Sequence, residues 1–276
     1  MDLWVSEYQT PSLRFSCKAS RTLRREKTDY QELGVVETEQ FGRMLILDGA
    51  IQTTERDEFV YHEMITLVAL NSHPRPQNVL IIGGGDGGAL REVVRHPAVS
   101  KATLVEIDER VVAASKDFFP AHSCSFDEPK AELVIADGIE YIKQHRDCFD
   151  IIMVDSTDPV GPAVELFSTG FYQSVFEALK EDGMLVVQSE SPFMNEDIIK
   201  MAFGGINQVF PITKLYLASV PTYPSGLWSF TLGSKVHDPE VLKYRYDLPC
   251  KYYSPEVHQA AFVLPPFVKK IVAPGE

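Results

Sequence analysis

Two textures of hydrophobic patterning run along the chain. From Leu3 to about Arg56 it reads as short β-rich stretches, SLRFSCKASRTLRRE, DYQELGVVETEQFG and RMLILDGAIQTTE. These are broken at Gly34, Gln40-Phe41-Gly42 and Asp48-Gly49. Short β-rich runs separated by turn residues predict a small antiparallel sheet, and no helical stripe fits. Phe59, His62 or Glu63, and Ile65 to Leu70 then fall at helical spacing, with Pro74 beyond the expected end. After Pro76 apolar runs alternate with amphipathic stretches. NVLII, ATLVEI, AELVIA, FDIIMV and GMLVVQ predict strands; GGALREVVRH, ERVVAASKDFF, IEYIKQH and GFYQSVFEALK predict helices between them. Near-continuous β-branched runs separated by helices indicate a parallel sheet covered on both faces. A helix near Asn195–Phe210 precedes ITKLYLASV and LWSFTLGS, which flank PTYPSG and read as an antiparallel addition at the sheet edge. The expectation is an α/β chain. Residues 1–56 form a small N-terminal antiparallel β-domain, and residues 57–276 form a Rossmann-like domain with its ligand at the carboxyl ends of the strands.

Composition adds exclusions. The 276 residues are 45% apolar and 24% charged, as in an ordinary globular protein. The start, MDLWVSEYQT, has neither basic nor apolar signal character, and no apolar run approaches membrane-spanning length, so a cytoplasmic protein is expected. Cys17, Cys124, Cys148 and Cys250 are scattered without a C-x-x-C pair, and the seven histidines match no short ligand motif. Neither a disulfide framework nor a metal is expected. The net charge of −13 argues against nucleic acid as partner and suits a cationic substrate.

Candidate chemistry clusters at the predicted strand ends. Gly83, Gly85 and Gly88 satisfy G-x-G-x-x-G between a strand and a helix, which lets backbone approach a ligand closely. Glu106 ends the second strand about 20 residues on, where a carboxylate binds ribose hydroxyls. This pair fits NAD as well as S-adenosylmethionine. Asp137-Gly138 follows the third strand and Asp155 the fourth. One acid there is commonly a helix cap, whereas an adenosine can use two of three and leave Asp155 near the reacting end. Asp155-Ser156-Thr157-Asp158-Pro159-Val160-Gly161-Pro162 reads either as a rigid crossover loop or as an active-site flap carrying two acids.

The combination IQTTERDEFVYHE, GGGDGG, VEID, ADG, DSTDPVGP and PTYPSG closely resembles the spermidine synthases, the polyamine aminopropyltransferase family, and the likeness spans nearly the whole chain. The resemblance implies a class I methyltransferase-like Rossmann domain behind the small β-domain, assembled as a homodimer or homotetramer. It implies decarboxylated S-adenosylmethionine as co-substrate and putrescine as acceptor, with no metal. Gln31 and Glu106 would bind the nucleoside sugar, Asp137 and Gly138 the adenine, and Asp86, with His62 nearby, the aminopropyl ammonium. Pro162 would close over the nucleoside. Tyr61, Asp155, Ser156, Thr157, Asp158 and Tyr223, with Gln52, would line the diamine site, and Asp155 would accept the proton. His62 stands where some members carry glutamine. Four other readings stay open at this point: a diamine N-methyltransferase using S-adenosylmethionine, transfer to agmatine or another amine, an NAD-dependent oxidoreductase, and a non-catalytic polyamine sensor. Asp86 favours the decarboxylated co-substrate, because it would repel the carboxylate of the intact one.

Overall fold

The structure is a computed structural model that describes residues 2–157, 161–244 and 247–273, without the side chains of residues 161–163. Five strands build the first sheet: β1 (Leu3–Thr10), β2 (Leu13–Lys27), β3 (Glu32–Thr38), β4 (Gly42–Leu47) and β5 (Ala50–Thr54). They pair antiparallel in chain order. The three expected β stretches become β2, β3 and the β4–β5 hairpin; β1 precedes them. Asp48 and Gly49 both adopt positive φ, 48° and 87°, the geometry that makes Asp-Gly a favoured two-residue hairpin turn. Leu47 therefore pairs with Ala50. Beyond it Ile46 pairs with Ile51 but Leu45 with Thr53, so Gln52 is an extra residue in β5. A bulge leaves its extra residue outside the ladder. Here the Gln52 carbonyl instead accepts the Tyr223 hydroxyl at 2.6 Å.

Helix α1 (Glu58–Ser72) is buried on nearly every side, including Met64, Ile65, Leu67, Val68 and Leu70. A helix without a solvent face belongs inside a core. It stops at His73, extended before Pro74 as the pre-proline position requires.

The second sheet has the order β11-β12-β10-β9-β6-β7-β8. Strands β6 (Asn78–Gly83), β7 (Lys101–Glu106), β8 (Ala131–Ile135), β9 (Phe149–Asp155) and β10 (Leu179–Gln188) run parallel. β12 (Leu227–Ser234) is antiparallel to both its neighbours, β10 and β11 (Ile212–Ser219). Helices α2 (Gly88–Arg95), α3 (Glu109–Phe118), α4 (Pro120–Ser123), α5 (Gly138–Lys143), α6 (Thr169–Ala178) and α7 (Glu196–Val209) fall between strands, and α8 (Pro255–Ala261) and α9 (Pro266–Val272) close the described chain. Ile151, Ile152 and Met153 of β9 are all fully buried, on both faces of the sheet. Each such side chain contributes about 1.5–3 kcal/mol of burial. Leu33, Val35, Leu45 and Leu47 of the first sheet pack on Val111, Ala114 and Phe119 at α3, which fastens that sheet beside the Rossmann crevice. The expected fold class is the observed one.

Two differences have simple causes. The helix expected over residues 170–180 ends at Ala178, because Leu179 already pairs with Phe149 and Lys180 meets Asp150 at 2.9 Å. Helices α4, α8 and α9, of four, seven and seven residues, were not anticipated, being too short to show a helical period.

Candidate active site

The sheet order reverses between β6, which leads toward β7 and β8, and β9, which leads toward β10. Turns diverge at such a point and open a crevice. A cavity of about 380 Å³ lies there. Gln31 and Gln52 reach it from the first sheet, and Tyr61 from α1. The turn after β6 supplies Gly83, Gly85 and Asp86; β7 supplies Glu106; the turn after β8 supplies Asp137 and Gly138. Asp155, Ser156 and Thr157 follow from β9, and Tyr223 from the loop before β12. Thus thirteen of the sixteen expected positions share one wall.

The turn is shaped around two side chains. Gly84 has φ +69°, and a Cβ there would lie 2.7 Å from Asp155 Oδ2. At Gly88 a Cβ would lie 2.1 Å from His62 Cε1. Glycine is thus required by conformation at the first position and by ring packing at the second. The Gly84 N–H donates to the Asp155 carbonyl at 2.8 Å, locking the β6 and β9 ends together.

Four charged groups behind this turn set its electrostatics. His62 is 1% exposed, with Nδ1 2.6 Å from Glu58 Oε2 and Nε2 3.3 Å from Asp86 Oδ2. Burial alone would push the imidazole down, but Asp86 and Glu58 outweigh it and hold it well above the ordinary histidine value. His62 is therefore an imidazolium at neutral pH. Arg91 of α2 completes the group, 2.8 Å from Glu58. Burial works against the Glu58 charge, yet His62 and Arg91 keep it far below the usual carboxylate range. Asp86 is likewise held low: burial opposes its charge, but His62, His122 and the Gly88 N–H at 2.6 Å favour it.

Asp155 has the opposite environment. Tyr61 donates its hydroxyl to Oδ1 at 2.6 Å, while Oδ2 is buried without a hydrogen-bond partner. Burial and the nearby Asp86 charge push its carboxyl from 3.8 up to about 6, against the opposing effects of His62 and Tyr61. Two adjacent carboxylates thus divide their work: Asp86 is a fixed anion, Asp155 a base of raised strength. Burial and the Asp155 charge raise the Tyr61 phenol well above its ordinary value, so it remains a donor.

The other end of the cavity suits a nucleoside. Burial pushes Glu106 from 4.5 up to about 7, although its Oε1 accepts the Asp108 N–H at 2.9 Å. Gln31 donates to Asp108 Oδ2 at 2.9 Å, bridging the first sheet to the start of α3. Asp137 caps α5 by accepting the Ile139 N–H at 2.8 Å. Leu47, Ile82, Val105 and Ile139 give this end apolar walls. The residues fit an adenosyl group: polar hydroxyl-binding sites beside flat apolar surface.

Three expected residues are placed otherwise. His62 does not line the main cavity; it lies behind Asp86, in contact with its carboxylate. Asp158 lies outside the described residues, and so does the side chain of Pro162. Conversely, Glu7, Gln188 and Trp228 line the cavity without having been expected. Glu7 is a buried acid on β1 whose Oε2 accepts the Ile51 N–H at 2.8 Å. Glu58 and Arg91 were also missed; the four-residue spacing of Glu58 and His62 was the available signal.

The spermine/spermidine synthase domain profile matches residues 58–244, and the spermidine synthase tetramerisation domain profile matches residues 3–55. The chain belongs to the spermine/spermidine synthase family. A polyamine aminopropyltransferase of Caldicellulosiruptor bescii is 56% identical over 274 residues, covering 99% of both chains. One from Moorella thermoacetica is 53% identical over 277 residues, covering 99% of this chain and 98% of the relative. A solved spermidine synthase in complex with the transition-state analogue AdoDATO superimposes with a TM-score of 0.95 at 44% identity, covering 98% of this chain and 94% of that one. Spermidine synthase from Thermotoga maritima gives 0.93 at the same identity and coverage. The chain is accordingly an enzyme of the polyamine aminopropyl-transferring class. No helix among the described residues is long and apolar enough to cross a membrane.

Proposed function

We propose that this member of the spermine/spermidine synthase family transfers the aminopropyl group of decarboxylated S-adenosylmethionine to putrescine, forming spermidine and 5'-methylthioadenosine. The carrying observation is Asp155, one oxygen fixed by Tyr61 and the other buried and unpartnered at the cavity. A neutral amine attacks the carbon next to the sulfonium. The new C–N bond forms as the C–S bond breaks, and that electron pair stays on sulfur. The nitrogen's surplus proton goes to the Asp155 carboxylate. Positioning and one proton acceptor suffice for this displacement. Neither a metal nor a covalent enzyme intermediate takes part.

Asp86, buried and held anionic by His62, receives the aminopropyl ammonium of the co-substrate. Glu106 and Gln31 take the ribose, and Asp137 with Gly138 takes the adenine; Gly83 and Gly85 let the backbone approach. Tyr61, Tyr223, Gln52, Ser156 and Thr157 surround the diamine, with Asp158 assigned to its distal ammonium. Glu7 is a further acid lining the same cavity. The division at residues 56 and 57 separates an assembly unit from a catalytic one. Exposed Leu3, Trp4, Tyr8 and Leu13 on β1 and β2 suit self-association into a dimer or tetramer.

Calorimetric binding tests the co-substrate assignment. The wild type is expected to hold decarboxylated S-adenosylmethionine at least about tenfold tighter than the intact compound, from one like-charge contact avoided. Asp86→Asn should shrink that preference. Tighter binding of the intact compound would favour an N-methyltransferase instead.

A further inference from the structure

Three side chains far from the cavity meet where α1, β10 and β12 end or begin. His73 follows α1 directly, Asp182 lies in the irregular first part of β10, and His237 follows β12. His73 Nε2 is 3.6 Å from Asp182 Oδ1, and His237 Nε2 is 3.3 Å from Asp182 Oδ2. One donor atom from each lies within 4.8 Å of the others. We propose that His73, Asp182 and His237 form a binding site for a divalent cation of the zinc class, separate from the aminopropyl-transfer site.

The donor set selects the metal. Two imidazoles and one carboxylate suit zinc and its borderline neighbours, whereas magnesium and calcium prefer oxygen alone. Bond lengths of about 2.0–2.2 Å in a tetrahedral site place donors about 3.3 Å apart. The two Asp182 contacts approach that value but run to different carboxylate oxygens, and bringing one donor from each residue together, now within 4.8 Å, takes side-chain rotation. Three protein ligands leave the fourth position to water.

Burial supplies an independent reason. The His73 side chain is only 2% exposed, and its Nε2 makes no hydrogen bond, with Asp182 Oδ1 at 3.6 Å just beyond reach. An unpaired buried polar atom is unusual and costly; a metal ion would satisfy it. Asp182 and His237 are 43% and 18% exposed in their side chains, which leaves an entry path. The His73 Nδ1 accepts the Arg75 N–H at 3.1 Å, which places the free ring's proton on Nε2. Metal at Nε2 would leave the ring proton on Nδ1, so the Arg75 amide would have to give up this bond. Asp150, whose charge is felt at His73, adds negative potential behind the site.

Such an ion would fasten the far end of α1 to the sheet. Tyr61 and His62 lie at the other end of this fifteen-residue helix, about 15–20 Å away at 1.5 Å per residue. Its effect should fall on stability rather than on turnover. The ligands come from three distant segments, so no short motif announces them.

Tag-free, chelator-treated enzyme titrated with cobalt(II) should develop visible absorption bands that saturate at one equivalent per chain. Zinc should displace the cobalt and raise the melting temperature. His237→Gln and Asp182→Asn, both at partly exposed positions, should each lower zinc affinity at least about a hundredfold, beyond what losing an outer-shell partner costs. Both should keep wild-type aminopropyl transfer. Absence of saturable binding overturns the proposal. So does zinc binding or zinc stabilisation that survives both substitutions, or a thiolate charge-transfer band that places the ion on cysteine.

Discussion

Asp155→Asn should make the enzyme more stable and nearly inactive, and the pH dependence of the first effect tests the reasoning behind the second. The carboxyl is raised from 3.8 to about 6 by burial and by Asp86. It binds its proton more tightly in the folded chain than in the unfolded one. Stability from that proton is complete below about pH 4 and is lost as pH rises through about 6. The shift corresponds to at most about 3 kcal/mol, which asparagine recovers because it carries no charge. For a chain of this size that is a rise in melting temperature of about 4–6 °C. Scanning fluorimetry from pH 4 to pH 8 should show the variant's advantage appear between pH 4 and 7 and then level off. At pH 8 its kcat should fall about 10²-fold or more, the usual scale for a positioned proton acceptor, while co-substrate affinity changes little. A melting difference independent of pH would refute the charge argument. Near-normal kcat at saturating substrates would refute the role of Asp155 as acceptor.

Two further outcomes test the charge group behind the turn. Gly88→Ala places a methyl at 2.1 Å from His62 Cε1; displacement of the ring should raise the KM for the sulfonium substrate about tenfold or more, an effect equivalent to about 1.4 kcal/mol, with the fold intact by circular dichroism. Glu58→Gln removes the partner shared by Arg91 and His62, which keep Glu92 and Asp86, and should cost about 1.5–3 kcal/mol in denaturant unfolding at pH 7.5; an unchanged midpoint would show that Glu58 is not their counter-ion.

How far the chain was legible depends on how each residue is positioned. Asp86, Glu106, Asp137 and Asp155 end or follow parallel strands, and strand topology alone carries such positions to one crevice. Their shared place at the ends of predicted parallel strands was therefore a sound guide to their neighbourhood in space. Glu7 and Trp228 were not legible. Alternation along a strand tells which residues share a face, but not which second element covers that face. The same limit hid the setting of His62. Its place on α1 was clear, yet its burial between Glu58 and Asp86 depends on how α1 meets the β6–α2 turn and α2. Gln52 owes its position to a bulge, which shifts register by one residue without any glycine to mark it. The His73–Asp182–His237 cluster joins three remote segments, so spacing rules miss it.

The central claim is transfer of an aminopropyl group under the control of Asp86 and Asp155. Mass-spectrometric analysis of products from wild-type enzyme, putrescine and each sulfonium compound tests it most directly. Decarboxylated S-adenosylmethionine should yield spermidine and 5'-methylthioadenosine in equal amounts, and intact S-adenosylmethionine should yield no amine product. Formation of N-methylputrescine from the intact compound, or no turnover of the decarboxylated one, would contradict the account.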